Sequence, residues 1–189
     1  MADDLKRVAV WKNLLLDGTD YCSLWHTSEG WLLKGTVAGV LKNQRPTLAS
    51  YEIHCDESWF THRVQVERTI GTDVKTLSLN VESRGIWRSQ GQELLNVRGC
   101  DDVDLALTPA SNTLAIRRLN LQVGNGASII AAWVQFPDLT VRPLSQRYTR
   151  LNQDTYRYES NTGFQADIVV DDLGMVMTYP GGWERIGSL

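Results

Sequence analysis

Residues 51–81 read "YEIHCDESWFTHRVQVERTIGTDVKTLSLNV", and their spacing decides the fold. Apolar side chains return at every second position: Tyr51, Ile53 and Cys55, then Val64 and Val66, then Leu77, Leu79 and Val81. Successive side chains of an extended chain point to opposite faces, so period two gathers each apolar set on one face and its polar neighbours on the other. Such one-sided strands suit an antiparallel sheet with one face on a core and one in water. Outward from this stretch the pattern repeats, for instance in "DVDLAL" with Val103, Leu105 and Leu107.

Between the apolar runs lie short breaks: "DGTD", "SEG" before Trp31, "NQRP", "GTD" after Ile70, "SRG" before Ile86, "SQGQE", "GNGAS", "LNQD", "SNTG" and "DDLG". Gly, Asn, Asp and Pro supply turn dihedrals that other residues resist. About a dozen strands at this spacing, with no helices alternating between them, predict an all-β sandwich, barrel or curled sheet. One segment departs from the rhythm. In "TPASNTLAIRRL" (Thr108–Leu119), Thr108 can cap a helix, Pro109 can take its first position, and Ala115, Ile116 and Leu119 fall on one side at helical spacing. Asn112, Arg117 and Arg118 form its polar flank. A lone helix near 109–119 in a β chain must cover exposed sheet, either by plugging the mouth of a curled sheet or by lying along its edge.

Length and charge bound the function. A chain of 189 residues is most economically one domain, 1–189. A net charge of -3 gives no basic footprint for nucleic acid. The N-terminal "MADDLKRVAVWKNLLLDG" has acids at its start and an apolar run broken by Lys12 and Asn13, unlike a signal peptide, and no segment approaches the roughly 20 apolar residues of a membrane span. A cytoplasmic protein is expected. The 3 cysteines, Cys22, Cys55 and Cys100, are widely spaced with no CxxC pair, which points to packed free thiols over disulfides or a thiolate metal site.

Several longer phrases carry a family resemblance: "GWLLKGTVAG" (Gly30–Gly39), "GCDDVDLALTPASNTLAIRRL" (Gly99–Leu119), "AAWVQFPDLTVRPLSQRYTRL" (Ala131–Leu151), "YRYES" (Tyr156–Ser160) and "YPGGWERI" (Tyr179–Ile186). In these the chain resembles the domain family named "putative glycolipid-binding", formerly a domain of unknown function. The resemblance implies a spiral β-roll, a long antiparallel sheet curled on itself with a helix inserted, similar to bacterial carriers that shuttle lipoproteins between membranes. It implies an amphiphilic lipid-like or glycolipid-like ligand, and it brings no catalytic set and no cofactor.

Three constellations compete for function. Asp102 and Asp104 share one strand face, where they can hold a cation, divide acid and base roles, or pair with Arg117, Arg118 or Arg147 and pin the helix to the sheet. In "PLSQRYTRLNQDTYRYES", Gln146, Tyr148 and Arg150 share one face. Across the "LNQD" turn Tyr156 and Tyr158 point together, opposite Arg157 and Glu159. A hairpin there aligns rings with guanidinium groups, which suits a sugar, or else builds a cross-strand ladder contributing about 0.2 to 1 kcal/mol per pair. Of the 7 tryptophans, Trp133 reads as structural, whereas Trp183, after "YPGG", is placed to flank a cavity mouth. His54 and His62 fall on different strand faces by parity, so no joint metal site is expected, and His26 is isolated. No GxSxG, HExxH, phosphate loop or dinucleotide fingerprint is present.

The expected function is a non-catalytic binding protein, with acyl chains against the concave side of the sheet and the head group near Asp102, Arg117, Arg147 and Tyr158. The ligand set extends to Asp104, Asn112, Arg118, Tyr148, Tyr156, Glu159 and Trp183. Two alternatives stand beside it: a hydrolase of sugar or lipid conjugates using Asp102 or Asp104 with Glu159, and an interaction module whose sheet edge or concave face docks a protein or closes a homodimer.

Overall fold

A computed structural model of the chain describes residues 3–82 and 85–189, so the break expected at "SRG" lies partly outside the described residues. The elements run β1 (Asp4–Asn13), β2 (Gly18–Thr27), β3 (Gly30–Val40), β4 (Pro46–Cys55), β5 (Thr61–Ile70), β6 (Asp73–Val81), β7 (Trp87–Ser89), β8 (Gln92–Glu93) and β9 (Asp102–Leu105). The helix α1 (Asn112–Leu119) follows, then β10 (Gly126–Val134), β11 (Val141–Arg150), β12 (Thr155–Ser160), β13 (Gln165–Val170), β14 (Val176–Tyr179) and β15 (Trp183–Ser188). All the described strands belong to one sheet, ordered β8-β7-β6-β5-β4-β3-β2-β1-β15-β14-β13-β12-β11-β10-β9. It is a curled sheet that does not close, a β-roll.

That order is two meanders growing outward from a central seam where β1 pairs β15, Ala9 opposite Ser188 and Asn13 opposite Trp183. The free edges are therefore the middle of the chain, β8 and β9. Strand pairs are antiparallel throughout the described residues except β9–β10, which is parallel. Parallel neighbours need a long crossover, usually helical, and α1 lies in that crossover. This is the physical reason for a helix in an otherwise β chain. Register shifts at Val10/Trp11, His54/Cys55 and Val169/Val170 bend the strands and add to the curl.

The inward faces are the apolar sets read from the sequence: Tyr51, Ile53, Cys55, Val64, Val66, Leu79, Val103 and Leu105 are all buried. Trp11 and Trp87 are fully buried, and each satisfies its indole N–H by donating to a carbonyl, Val176 O at 2.7 Å and Cys100 O at 3.1 Å. The three cysteines are free and buried. Arg68, also buried, crosses the roll: its Nε donates to Pro137 O at 3.2 Å and its Nη1 to Asp73 Oδ2 at 2.7 Å, tying β5 to the β10–β11 turn.

The helix differs from the expected 109–119. It starts at Asn112, and the preceding residues form tight turns, with Asn112 N bonded to Pro109 O and Thr113 N to Ala110 O. Thr108 Oγ1 accepts from Ala110 N at 3.0 Å and donates its proton to Asp20 across the roll, so it anchors the turn that precedes the helix, whose N-cap position falls at Ser111. Asn112 through Ile116 are buried, and Leu114, Ala115 and Ile116 join the hydrophobic core of the roll. Asn120 ends the helix in the left-handed conformation, its N–H donating to Ile116 O.

Candidate functional site

The parallel pairing of β9 on β10 places Asp104 opposite Trp133, and the α1 approach brings Thr108 and Asn112 beside it. The β12–β13 turn and the β14–β15 hairpin close over this end of the roll. Together they enclose a cleft of about 220 Å³ lined by Asp104, Asn112, Tyr158, Phe164, Tyr179 and Trp183, among others. Tyr158, Phe164 and Tyr179 form a triangle with ring centroids 6.2, 6.1 and 5.8 Å apart and planes inclined to one another. Such inclined contacts match the preference of aromatic quadrupoles for edge-to-face packing.

Behind these rings the polar groups are held firmly. Tyr148 stacks edge-on against Tyr158 at 5.3 Å and donates its hydroxyl to Asn112 Oδ1 at 2.9 Å. Asn112 in turn donates to Pro109 O at 3.1 Å. Asp104 accepts from Gln146 Nε2 at 2.6 Å and from Ser111 Oγ at 3.3 Å. Burial pushes the Asp104 carboxyl up to about 6, opposed by those two hydrogen bonds. Burial, reinforced by neighbouring charge that includes Asp104, raises the Tyr158 and Tyr179 phenols well above their ordinary value.

The structure divides the residues singled out from the sequence. Asp104, Asn112, Tyr158 and Trp183 share the cleft, with Tyr148 directly behind it. Asp102, on the same strand face as Asp104, is only 2% exposed and is held by Arg118 in a two-pronged pair at 2.8 and 2.6 Å, so it pins the C-terminal half of α1 to the sheet. Burial raises its pKa and Arg118 opposes the rise. The Arg118 guanidinium also lies 5.2 Å from the Phe60 ring.

Arg117 and Tyr156 line a different cleft of about 650 Å³ at the C-terminal end of α1, with Arg150, Asp154 and Asp171. Its arginines are engaged within the protein: Arg117 lies over the Trp59 ring at 5.6 Å and donates to Asp172 O, while Arg150 bonds Leu121 O and Gln153 O. Arg147 and Glu159 face outward on β11 and β12, paired in register with each other on the face opposite Tyr148 and Tyr158. The proposed head-group cluster of Asp102, Arg117, Arg147 and Tyr158 is therefore not assembled. Nor does Glu159 share the cleft with Asp104, as the hydrolase alternative requires.

Other placements are not evident from the sequence. Asp20 is 0% exposed and accepts from Tyr51 Oη at 3.0 and 3.2 Å and from Thr108 Oγ1. Burial pushes its carboxyl up to about 7, with the two hydroxyl bonds pulling the other way. Its place in "DGTD" reads as a turn, yet the alternation Asp20, Cys22, Leu24 puts it on the inward face. Phe164 and Tyr179 were missed because turns far apart in the chain deliver them. His54 and His62 come to 6.0 Å between ring centroids, because the bulge at His54/Cys55 leaves His62 unpaired and overrides strand parity. Among the described residues, no group of three or more His, Cys, Asp or Glu is placed to hold a metal ion.

A family model described as "Putative glycolipid-binding" matches residues 8–185. The chain belongs to that family. It is similar to a crystal structure of a DUF1089 family protein from Pseudomonas aeruginosa, with 30% identity over 88% of this chain and 92% of that one and a TM-score of 0.81. No curated protein matches. Among the described residues of this family member, no helix is long and apolar enough to cross a membrane.

Proposed function

We propose that the chain is a binding protein that takes the head group of a glycolipid-like amphiphile into the cleft between Asp104, Asn112 and the rings of Tyr158, Phe164, Tyr179 and Trp183. One observation carries this reading: aromatic rings and hydrogen-bonding groups line one small open cleft, and sugars present both apolar ring carbons and hydroxyls. At about 220 Å³ the cleft lies below the roughly 300 to 1,000 Å³ of sites that bury a drug-sized ligand whole. It therefore fits a head group and not an entire lipid.

The apolar tail stays outside, against a greasy rim. Leu14 donates its N–H to Gly182 O at 2.8 Å, which sets the β1–β2 turn beside the cleft wall. Asn13 Oδ1 accepts from the N–H groups of Leu15 and Leu16, both at 2.8 Å, so the turn is ordered while Leu14 is 46% and Leu15 73% exposed. Each tail CH₂ drawn from water onto such a surface contributes up to about 0.8 kcal/mol.

Titration of the tryptophan emission with octyl β-glucoside below its micelle concentration tests the reading. Saturable binding that Phe164→Ala weakens at least about tenfold, and that Arg147→Ala leaves unchanged, is expected. No binding by the wild-type chain, or equal binding by Phe164→Ala, refutes it.

A further inference from the structure

Asp104 is the acidic group of the aromatic cleft, and none of the described residues lining that cleft is Lys, Arg or His. Its two bonded partners, Ser111 Oγ and Gln146 Nε2, are neutral. Asp102, two positions earlier on the same face, has Arg118 as its counter-ion; Asp104 has none among the described residues. A carboxylate offers about four acceptor positions, so two neutral donors leave capacity unused where the side chain meets the cleft. The surrounding phenols do not offset the charge, since burial and the Asp104 charge keep Tyr158 and Tyr179 protonated and uncharged.

A carboxylate with no counter-ion among the described residues, in a cleft lined by aromatic rings, is a receptor for positive charge. The ring quadrupoles attract a cation at their faces, and the attraction grows where water is excluded. A charged hydrogen bond from an ammonium group also fills the vacant acceptor positions. An anionic head group, phosphate or sulfate, meets like charge here with no Lys or Arg to receive it, and a neutral sugar leaves the carboxylate without a counter-ion.

We infer that the cleft selects a glycolipid head group carrying a protonated amine, with Asp104 as its counter-ion. The inference rests on the head-group reading above and narrows it to a chemical class. It makes Asp104 a specificity-determining residue, while the rings and Asn112 supply contacts common to any sugar.

Isothermal titration of the full chain at pH 7 with three octyl glycosides tests it, the glycosides differing at one ring position that bears a hydroxyl, a free amine or an N-acetylated amine. The free amine is expected to bind at least about tenfold more tightly than the other two. Asp104→Asn is expected to erase that preference. Equal affinity of the wild-type chain for all three overturns the inference and leaves the head-group reading standing; binding of none overturns both. An Asp104→Asn chain that keeps the preference also overturns it. The wild-type series decides the matter by itself if the variant fails to fold.

Discussion

Replacing Asp20 by Asn converts a carboxyl buried with no cation beside it among the described residues into a neutral group of the same shape. In the native chain the Asp20 carboxyl faces Tyr51, Thr108 and Cys22, and burial keeps the Tyr51 phenol and the Cys22 thiol protonated throughout the working range. Its pKa rises from 3.8 to about 7, a difference of about 3.2 units. At 1.36 kcal/mol per unit this amounts to about 4 kcal/mol as an upper figure. The sign follows from proton binding. Between about pH 4 and pH 7 the folded chain holds a proton on Asp20 that the unfolded chain has released, so stability from this group is fully present below about pH 4 and is lost as pH rises toward 7. Asp20→Asn keeps an acceptor for Tyr51 and Thr108 and carries no titration. Urea unfolding of wild type and variant from pH 4.5 to 8 isolates Asp20, because every other group cancels in the difference. The variant's advantage is expected to grow with pH and to approach about 4 kcal/mol at pH 8. Parallel pH profiles would show that Asp20 is solvated or paired, and would refute the description of this network.

Other perturbations have definite outcomes. Arg118→Met strands the buried Asp102 carboxylate and should lower stability in urea by about 3 to 5 kcal/mol, most of it recovered when Asp102→Asn is added. A Cβ at Gly35 would overlap the Tyr51 Cζ and Oη and lie 2.7 Å from Tyr21 O, so Gly35→Ala should cost about 1 to 3 kcal/mol or more, read as a lowered melting temperature. Burial raises all three thiols, Cys100 to about 11, so Ellman's reagent at pH 8 should react with none of them in the folded chain and with all of them in guanidinium.

Much of the roll was legible because its strands are one-sided. The alternation of Tyr51, Ile53 and Cys55 survives folding unchanged, and the "LNQD" turn sets Tyr148 opposite Tyr158 as the parity of both strands requires. The pairing of Asp102 with Arg118 was within reach for a similar reason: a strand face and a helix flank carried complementary charges. What stayed hidden depends on long-range placement. Nothing local reveals that β1 meets β15, that β9 runs parallel to β10, or that Asp104, Phe164 and Tyr179 share one cleft. The bulge that brings His62 toward His54 breaks the parity rule by inserting one residue. Nor does anything local reveal that the Thr108 hydroxyl donates across the roll to Asp20, far away in the chain.

The seam between β1 and β15 has a consequence for biosynthesis. Val8 and Leu189 exchange two backbone hydrogen bonds, at 3.1 and 3.0 Å, so β1 is completed only by a strand synthesised long after it. Until then one flank of β1 is a row of open amides and carbonyls, the kind of template that recruits other nascent chains. A nascent chain stalled before β15 would therefore expose a sticky flank of the roll, and shielding it is a task for a chaperone.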